Sequence, residues 1–320
     1  MSRIFDALQR AEAKRSGIGS SVDVRATELL KRVEQDFVLG NGAAPESDVQ
    51  RAERHSVGQE RSAHQGRYRE PRLARLGTEA EPLPEVFERF HVFKGRLAPT
   101  SKLVTVTQRE SAAAEAFRLL AIRLTYLKHS RAMKRLLVTS SIPQEGKSLV
   151  AANLACALSR TDYSRTLLIE GDLRRPTLSS LFEAPAGNGI TEILEGKCAP
   201  EDCIYFLESA GMWLLPAGRS SINLQELMKS DQLISLVEEV STWFDWVVID
   251  SPPMLPLADT SIWMRIAEGI LLTVRQGKSE RKALKSCIEA LDQEKVIGAL
   301  LNSATVPEHA YYSYRASEPE

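Results

Sequence analysis

The sequence predicts an α/β fold with a doubly wound, mostly parallel sheet. Strand-like and helix-like patterns alternate without a break from residue 134 onward. The strand-like runs, such as LLVT, TLLIE, WVVID and ILLTV, are almost continuously apolar, as in parallel strands whose two faces are both covered by helices. In such folds ligands bind at the carboxyl ends of the strands, so the residues that end the strands are the candidates for function.

The first predicted elements come just before this region. The run LVTVT at 103–107 predicts a strand, and Ser111 predicts the N-cap of the helix that follows. The apolar stripe of that helix is Phe117, Leu120, Leu124 and Leu127. Further strands are predicted at 134–139, 165–170, 212–216, 245–250, 269–275 and 296–301, and helices at 147–160, 224–241 and 279–292.

Composition divides the chain of 320 residues into four regions. They are a tail with short amphipathic helices (1–39), a flexible linker (40–100), a folded domain (101–307) and a C-terminal tail (308–320). The linker is rich in Gly, Pro, Ser, Ala, Glu and Arg. Such a segment has too few large apolar side chains to offset the entropy lost on ordering.

Charge and composition exclude several classes of protein. The net charge of −1 and the pI near 6.6 argue against a dedicated nucleic-acid binder. The four cysteines are scattered, so neither a disulfide framework nor a zinc site is indicated. No stretch approaches the roughly 18 to 20 apolar residues that cross a bilayer. We therefore expect a cytoplasmic protein that reaches the membrane only through a partner or a surface helix.

The segment RLLVTSSIPQEGKS at 135–148 has the pattern of a strand, a phosphate-binding loop and the start of a helix. Gly146 would let backbone N–H groups close on a phosphate, Lys147 would meet the β- and γ-phosphates, and the Ser148 hydroxyl would bind Mg²⁺. Ser141 stands where the usual pattern has its first glycine. A chance GKS in a turn is the alternative, but the preceding apolar strand and the following amphipathic run favour a nucleotide site.

Two predicted strands end in acidic residues. TLLIEGDLRRP places Glu170 and Asp172 at the end of one strand, and FDWVVIDSPP places Asp250 at the end of another. Carboxylates at this edge of a parallel sheet reach Mg²⁺ directly or through water. Any one of them alone could instead end a strand or cap a helix. Their expected convergence with Lys147 and Ser148 on one edge favours a magnesium and nucleotide site.

Residues 102–314 resemble the cytoplasmic catalytic domain of the bacterial tyrosine kinases (BY-kinases) of capsule and exopolysaccharide synthesis. That family is related to the partitioning and division-site P-loop ATPases. The resemblance is carried by EAFRLL (115–120), PQEGKS (143–148), LLIEGDLRRP (167–176), LLPAG (214–218), the run 244–253 followed by Asp259, LLNS (300–303) and the final YYSYR. DLRRP and the terminal tyrosine cluster distinguish this family from its ATPase relatives.

The resemblance implies ATP and Mg²⁺ as cofactors and gives a role to individual residues. The expected nucleotide contacts are Gln144, Glu145, Gly146, Lys147, Ser148, Leu149 and, at the adenine, Asn302. The expected metal ligands are Ser148, Asp172 and Asp250, and the expected catalytic residues are Lys147, Glu170, Asp172 and Asp250. One of the pair Glu170 and Asp172 would assist the metal or accept the tyrosine proton.

The C-terminal tail carries Tyr311, Tyr312 and Tyr314, three of the seven tyrosines in the chain. Their polar setting at the chain end favours a mobile tail that is the autophosphorylation substrate. An aromatic clasp folded onto the domain is the alternative. In the family such tails enter the active site of a neighbouring subunit in a ring, and phosphorylation adds charge that loosens the assembly.

The chain departs from the family pattern at three positions. The family's helix motif has a glutamate followed by arginines three and six residues later; Glu115 and Arg118 match this oligomer contact, but Ala121 takes the third place. Gln144 replaces a common glycine, and Glu170 replaces an aspartate. We expect nucleotide binding to survive all three changes, whereas each could reduce kinase turnover.

The favoured hypothesis is an ATP-dependent protein-tyrosine autokinase that regulates exopolysaccharide or capsule synthesis or export. Its implied partners are further copies of itself, such as a ring, and a separate membrane activator of the chain-length-determinant type. The alternative is a non-kinase P-loop ATPase switch that binds partners according to its nucleotide state. A small-molecule kinase is poorly supported because the sequence shows no recognisable lid or second substrate pocket.

Overall fold

The computed structural model describes residues 85–161, 163–185, 187–219, 231–255 and 259–303. All of them fall within the second of the two units into which the chain divides, Glu81–Glu320. The predicted tail helices at 1–39, most of the predicted linker and the tyrosine tail at 308–320 lie outside the described residues. In the described part, no helix is both long and apolar enough to span a bilayer.

An eight-stranded sheet forms the centre of the described residues. Its strands are β1 (His91–Phe93), β2 (Arg135–Ser140), β3 (Thr166–Glu170), β4 (Tyr205–Leu207), β5 (Met212–Leu215), β6 (Trp246–Asp250), β7 (Gly269–Arg275) and β8 (Val296–Asn302). They lie in the order β1-β4-β5-β3-β6-β2-β7-β8. Every neighbouring pair is parallel except β4 and β5, which are antiparallel.

Helices and short 3-10 turns connect these strands. The helices are α1 (Val104–Thr107), α2 (Ala112–Arg131), α3 (Lys147–Leu158), α4 (Leu178–Leu181), α5 (Ile190–Leu194), α6 (Asp231–Trp243), α7 (Asp259–Ile266) and α8 (Arg281–Ala290). The 3-10 turns are Glu85–Arg89 and Pro200–Cys203. The parallel α/β fold is as predicted, and α6 overlaps the predicted helix 224–241, whose first part, 224–230, lies outside the described residues.

The core lies around β2, β3 and β6, of which β3 and β6 are buried along their whole length. Helix α3 is buried continuously from Val150 to Leu158, as expected of a helix that is apolar all round. Its alanines leave room for α1 and α2, which pack against it. Ser111 caps α2 as predicted, because its hydroxyl accepts a hydrogen bond from Ala114 N at 3.2 Å. The phosphate-loop helix α3 is therefore held in place by both α1 and α2.

The strand predicted at LVTVT is wrong, because Val104–Thr107 forms the single helical turn α1. β-branched residues favour strands, but a buried partner decides the conformation here. Asn153 Oδ1, on α3, accepts hydrogen bonds from both Thr105 N and Thr105 Oγ1, each at 3.1 Å. These bonds draw the backbone of α1 toward α3 instead of into the sheet.

Two short strands, β1 and β4, escaped prediction. β1 lies inside the predicted linker, yet it pairs with β4 from His91 to Phe93, so the ordered chain begins before the boundary placed at residue 100. Phe87 packs edge-on against Phe90, Trp213 and Phe244 at centroid distances of 4.9, 5.2 and 5.4 Å. Aromatic side chains bury large apolar areas, which explains why this short segment is ordered. The three phenylalanines of EVFERFHVF were the available signal.

Candidate functional site

The order of the strands brings the predicted loop and acids to one edge of the sheet. β2 lies between β6 and β7, and β3 lies on the far side of β6. In the strand register, Asp250 pairs with Val138 of β2 and with Glu170 of β3. Because these strands are parallel, the loops that follow them emerge side by side. The phosphate loop therefore lies next to the acidic strand ends.

The phosphate loop joins β2 to α3 and is built around two residues with positive φ. Gly146, the N-cap of α3, has φ 91°, and Gln144 has φ 66°. A Cβ at position 146 would lie 2.2 Å from Asn302 Nδ2, so any other residue there would be strained by its conformation and would have to displace the Asn302 amide. Asn302 Nδ2 donates to Glu145 O at 2.9 Å. The side chain predicted to contact adenine thus holds the backbone of the phosphate loop.

Lys147 lies at the centre of the site. Its ammonium Nζ is 2.9 Å from Asp172 Oδ2, 3.5 Å from Asp250 Oδ1 and 3.1 Å from Ser148 Oγ. Burial by itself would lower the pKa of Lys147, but Asp250 and Asp172 outweigh it and the pKa is raised. Lys147, Ser148, Asp172 and Asp250 are therefore brought together as predicted, around a lysine that stays charged.

Asp250 is fully buried, and one of its carboxylate oxygens accepts no hydrogen bond from the described residues. Burial raises the pKa of Asp250 to about 6, against the opposing effects of Lys147 and the Ser148 hydroxyl. Its Oδ2 has no hydrogen-bond partner among the described residues. A buried acceptor without a partner is costly, and carboxylate and hydroxyl oxygens are the ligands that Mg²⁺ prefers. The donor set thus fits a magnesium ion.

Protein side chains alone do not form a complete metal site in the described residues. In the ranges that the structure describes, no group of three or more His, Cys, Asp and Glu side chains is arranged to hold a metal ion. A cation at this site would therefore need oxygens from outside the protein. This is the situation of Mg²⁺ in phosphate-binding enzymes, which is held by one or two carboxylates together with waters and substrate phosphates.

The Glu170 carboxylate binds neighbouring backbone and hydroxyl groups instead of Lys147. Its carboxylate accepts hydrogen bonds from Leu178 N, from Ser179 Oγ at 3.3 Å and from Ala217 N at 3.1 Å, and it is 1% exposed. These donors lie on α4 and on the loop after β5, so the carboxylate ties three chain segments together. Asp172 is the member of the acidic pair that contacts Lys147.

Two supporting residues, Gly171 and Trp263, were missed by the sequence reasoning. Gly171 N donates to Asp250 O at 2.8 Å, and Trp263 Nε1 donates to Gly171 O at 3.1 Å. A Cβ at Gly171 would lie 2.9 Å from both Asp250 O and the Trp263 ring. The glycine therefore lets the ends of β3 and β6 approach, and the buried tryptophan fixes the loop that carries Asp172. Nothing in the spacing of these residues signals that contact.

A cleft of about 290 Å³ opens beside the first turn of α3. Leu149 and Asn302, both predicted nucleotide contacts, line it together with Val104, Phe117 and Asn153. The walls combine apolar side chains with amide groups, the mixture that small-molecule sites commonly use. Leu149 therefore lies at a cavity next to the phosphate loop.

The remaining predicted residues lie on α2 or outside the described residues. Glu115 and Arg118 form an ion pair with each other on α2, with side chains 32% and 67% exposed. Tyr311, Tyr312 and Tyr314 belong to the part of the chain that is not described. The structure therefore places the α2 motif on the surface and leaves the tail as a prediction.

Together, the sheet, the phosphate loop and the strand-end carboxylates define a P-loop nucleotide-binding protein of the α/β class. No protein-family model matches the chain. Over 214 residues it is 31% identical to tyrosine-protein kinase YwqD of Bacillus subtilis, a match that covers 66% of this chain and 90% of the relative. Over 215 residues it is 30% identical to succinoglycan biosynthesis transport protein ExoP of Rhizobium meliloti, covering 66% of this chain and 27% of ExoP.

The likeness extends to a solved structure. The kinase domain of Escherichia coli tyrosine kinase ETK matches with a TM-score of 0.60 and 25% identity, covering 71% of this chain and 91% of that domain. The chain belongs to the bacterial tyrosine-protein kinase family. The family predicted from the sequence motifs is confirmed.

Proposed function

We propose that this chain is a protein-tyrosine autokinase that uses ATP and Mg²⁺ and regulates exopolysaccharide or capsule synthesis or export. The observation that carries the proposal is the Lys147 ammonium, held by Asp172 and Asp250 at the start of α3. Membership of the tyrosine-kinase family and the name of the relative ExoP support the kinase activity and the polysaccharide role. The acceptors are Tyr311, Tyr312 and Tyr314 of neighbouring subunits.

The residues of the phosphate loop divide the work of holding the nucleotide. The N–H groups of 144–148 and the N-terminus of α3 face the phosphates, and Lys147 exchanges its carboxylate partners for the β- and γ-phosphates. Ser148, Asp172 and Asp250 would hold Mg²⁺, which would neutralise phosphate charge when bound. The cleft lined by Leu149 and Asn302 receives the nucleoside.

Asp172 is the carboxylate that we assign as the base for the tyrosine hydroxyl. Phosphoryl transfer depends mainly on positioning and on neutralising charge, yet a phenol with a pKa near 10 gains from a nearby carboxylate that orients its proton. The oxygens of Glu170 accept hydrogen bonds from Leu178, Ser179 and Ala217. Asp172 lies 2.9 Å from Lys147 and thus next to the expected phosphate position.

Phosphorylation between subunits requires self-association, which we assign to α2. Beside Glu115 and Arg118, this helix exposes Leu119, Ile122 and Tyr126, with exposed fractions of 50, 37 and 75%. An apolar stripe next to a charged pair has the composition of a contact surface. A separate membrane activator of the chain-length-determinant type would bring the assembly to the inner face of the membrane.

The second candidate is a non-kinase ATPase switch, favoured by one specific observation. Gln144, where the family commonly has glycine, takes the left-handed conformation at φ 66°. A side chain in this region is strained, so the loop has less freedom to adjust during turnover. A protein that binds ATP and hydrolyses it without marking its own tail would fit this second function.

Mass spectrometry of the full-length protein after incubation with ATP and Mg²⁺ separates the two candidates. The autokinase predicts added phosphate on Tyr311, Tyr312 or Tyr314, and none in the Lys147→Met variant. An unmodified tail in a protein that demonstrably binds ATP, with the cytosolic tail of the membrane activator also present, would reject the kinase in favour of the switch.

A further inference from the structure

The end of β7 and the loop that follows it form hydrogen bonds with the phosphate loop. Arg275 Nη1 donates to Gln144 O at 3.2 Å, and Lys278 Nζ donates to Gln144 Oε1 at 2.8 Å. One residue further on, the Ser279 hydroxyl donates to Glu145 Oε1. These partners are more than 130 residues apart in the sequence, so the contacts exist only because β2 and β7 are neighbours in the sheet.

Glu145 is the joint between the two loops. Its side chain is completely buried, and its second oxygen, Oε2, accepts hydrogen bonds from Ser141 Oγ and Ile142 N, both at 2.9 Å. One carboxylate thus connects the first residues of the phosphate loop to Ser279. Bonds to a charged acceptor are stronger than neutral ones, so this connection is a firm restraint on the curvature of the loop.

The charge of Glu145 excludes the simpler interpretation that its side chain binds the nucleotide. A carboxylate directed at a triphosphate would repel it. Here its oxygens are directed at two hydroxyls and a backbone amide. The side chain therefore serves to shape the loop, whose N–H groups are the phosphate contacts.

We propose that Ser279 is a positioning residue for nucleotide binding: through Glu145 it holds the phosphate loop in the conformation that accepts phosphates. The inference rests on the proposed nucleotide site but not on the tyrosine specificity. The Ser279 hydroxyl bonds Glu145 and the backbone of Arg275, so its effect on the nucleotide would be indirect. Its loss leaves one oxygen of a buried carboxylate without its hydroxyl donor, so that the loop must rearrange before it can bind.

The test is the dissociation constant for Mg²⁺-ADP, measured by calorimetry on the full-length protein, so that phosphoryl transfer plays no part. We expect Ser279→Ala to raise this constant about tenfold. Ser279→Thr, which keeps the hydroxyl, should restore it to within about twofold. The matched control is Ser286→Ala, because Ser286 is exposed on α8 and its loss should leave binding unchanged.

Thermal unfolding without nucleotide separates positioning from a general loss of structure. The Ser279→Ala protein should still unfold cooperatively, with a midpoint no more than about 4 °C below that of the wild type, and a double-mutant cycle with Glu145→Gln should be clearly non-additive. Unchanged Mg²⁺-ADP affinity in Ser279→Ala, or a loss that Ser279→Thr does not repair, would overturn the proposal. Wild-type protein that fails to bind Mg²⁺-ADP would overturn the nucleotide site itself. An unphosphorylated tail would leave the role of Ser279 intact.

Discussion

At the scale of single residues, the two acids of the EGD segment have different tasks. Asp172 contacts Lys147 at 2.9 Å, whereas Glu170 binds backbone groups of α4 and of the loop after β5. The extra methylene of glutamate, relative to the family's aspartate, lengthens the reach of its carboxylate. Residue type and spacing predicted a function for both acids, but they could not show which one faces the lysine.

Glu170→Gln tests this division of labour. Glutamine has one acceptor oxygen in place of two, so Leu178 N or Ala217 N would face an amide NH₂ group. We expect the free energy of unfolding to fall by about 2 kcal/mol, measured by urea denaturation. Asp172→Asn keeps an oxygen for the Lys147 contact, so it should cost less stability than Glu170→Gln but abolish tail phosphorylation. If Glu170→Gln were fully stable and lost only phosphoryl transfer, Glu170 would be the catalytic carboxylate that accepts the tyrosine proton.

Asp250 predicts a pH dependence of stability in the absence of nucleotide and Mg²⁺. Burial raises its folded-state pKa to about 6, above the value near 4 of an unfolded aspartate. The folded protein therefore holds this proton more tightly, so the contribution of Asp250 to stability is lost as the pH rises from about 4 through 6. The neutral variant Asp250→Asn does not titrate at this position, so its stability lacks this pH dependence.

The measurement is the free energy of unfolding of wild type and Asp250→Asn between pH 4 and 8. Relative to the variant, the wild type should lose about 2 kcal/mol as the pH rises through this window. Mg²⁺ with ADP should reduce the loss in the wild type, because the carboxylate then has a partner. A stability difference that does not change with pH would contradict the account.

At the scale of elements, α1 depends on α3 through a single amide. Asn153 Oδ1 accepts from Thr105 N and Oγ1, and Asn153 Nδ2 donates to Lys102 O and Leu149 O at 3.2 and 3.0 Å. Because Leu149 lies in the first turn of α3, next to Ser148, the same side chain connects the phosphate-loop helix to the wall of the neighbouring cleft. The amide thus fixes one side of the proposed nucleoside site.

Asn153→Ala should therefore be costly. It leaves buried donors of Thr105 without their acceptor, so we expect a loss of about 2 to 3 kcal/mol in the free energy of unfolding. Asn188→Ala is the matched control, because Asn188 is exposed and its truncation should change stability by less than about 0.5 kcal/mol. Equal effects of the two substitutions in denaturant titrations would refute this role of Asn153.

The elements that sequence reasoning found share a local signal, and those it missed do not. β2, β3 and β6 are apolar runs followed by chemically distinctive residues, so the strands were predictable and the residues after them were the natural candidates for function. β1 and β4 have three residues each, too few for a periodic pattern. α1 and the Ser279 contact are set by partners 48 and 134 residues away, which no local pattern encodes.

At the scale of the whole molecule, the proposed reaction needs two chains. One chain supplies the phosphate loop and the carboxylates of β3 and β6, and another supplies the tyrosines near its C-terminus. The surface of α2, with Glu115, Arg118 and the exposed Leu119, Ile122 and Tyr126, is the face assigned to their association. Since Ala121 replaces the second arginine of the family motif, the proposed association would depend more on apolar contact.

The central claim is that the site formed by Lys147, Asp172 and Asp250 phosphorylates the tail of another copy of the chain. The most direct measurement mixes two full-length variants with ATP and Mg²⁺ at high protein concentration and maps phosphate by mass spectrometry. The donor carries Tyr311→Phe, Tyr312→Phe and Tyr314→Phe, and the acceptor carries Lys147→Met. We predict phosphate on the acceptor's tail in the mixture and none on the acceptor alone. An unphosphorylated acceptor beside a donor that binds ATP would contradict the claim.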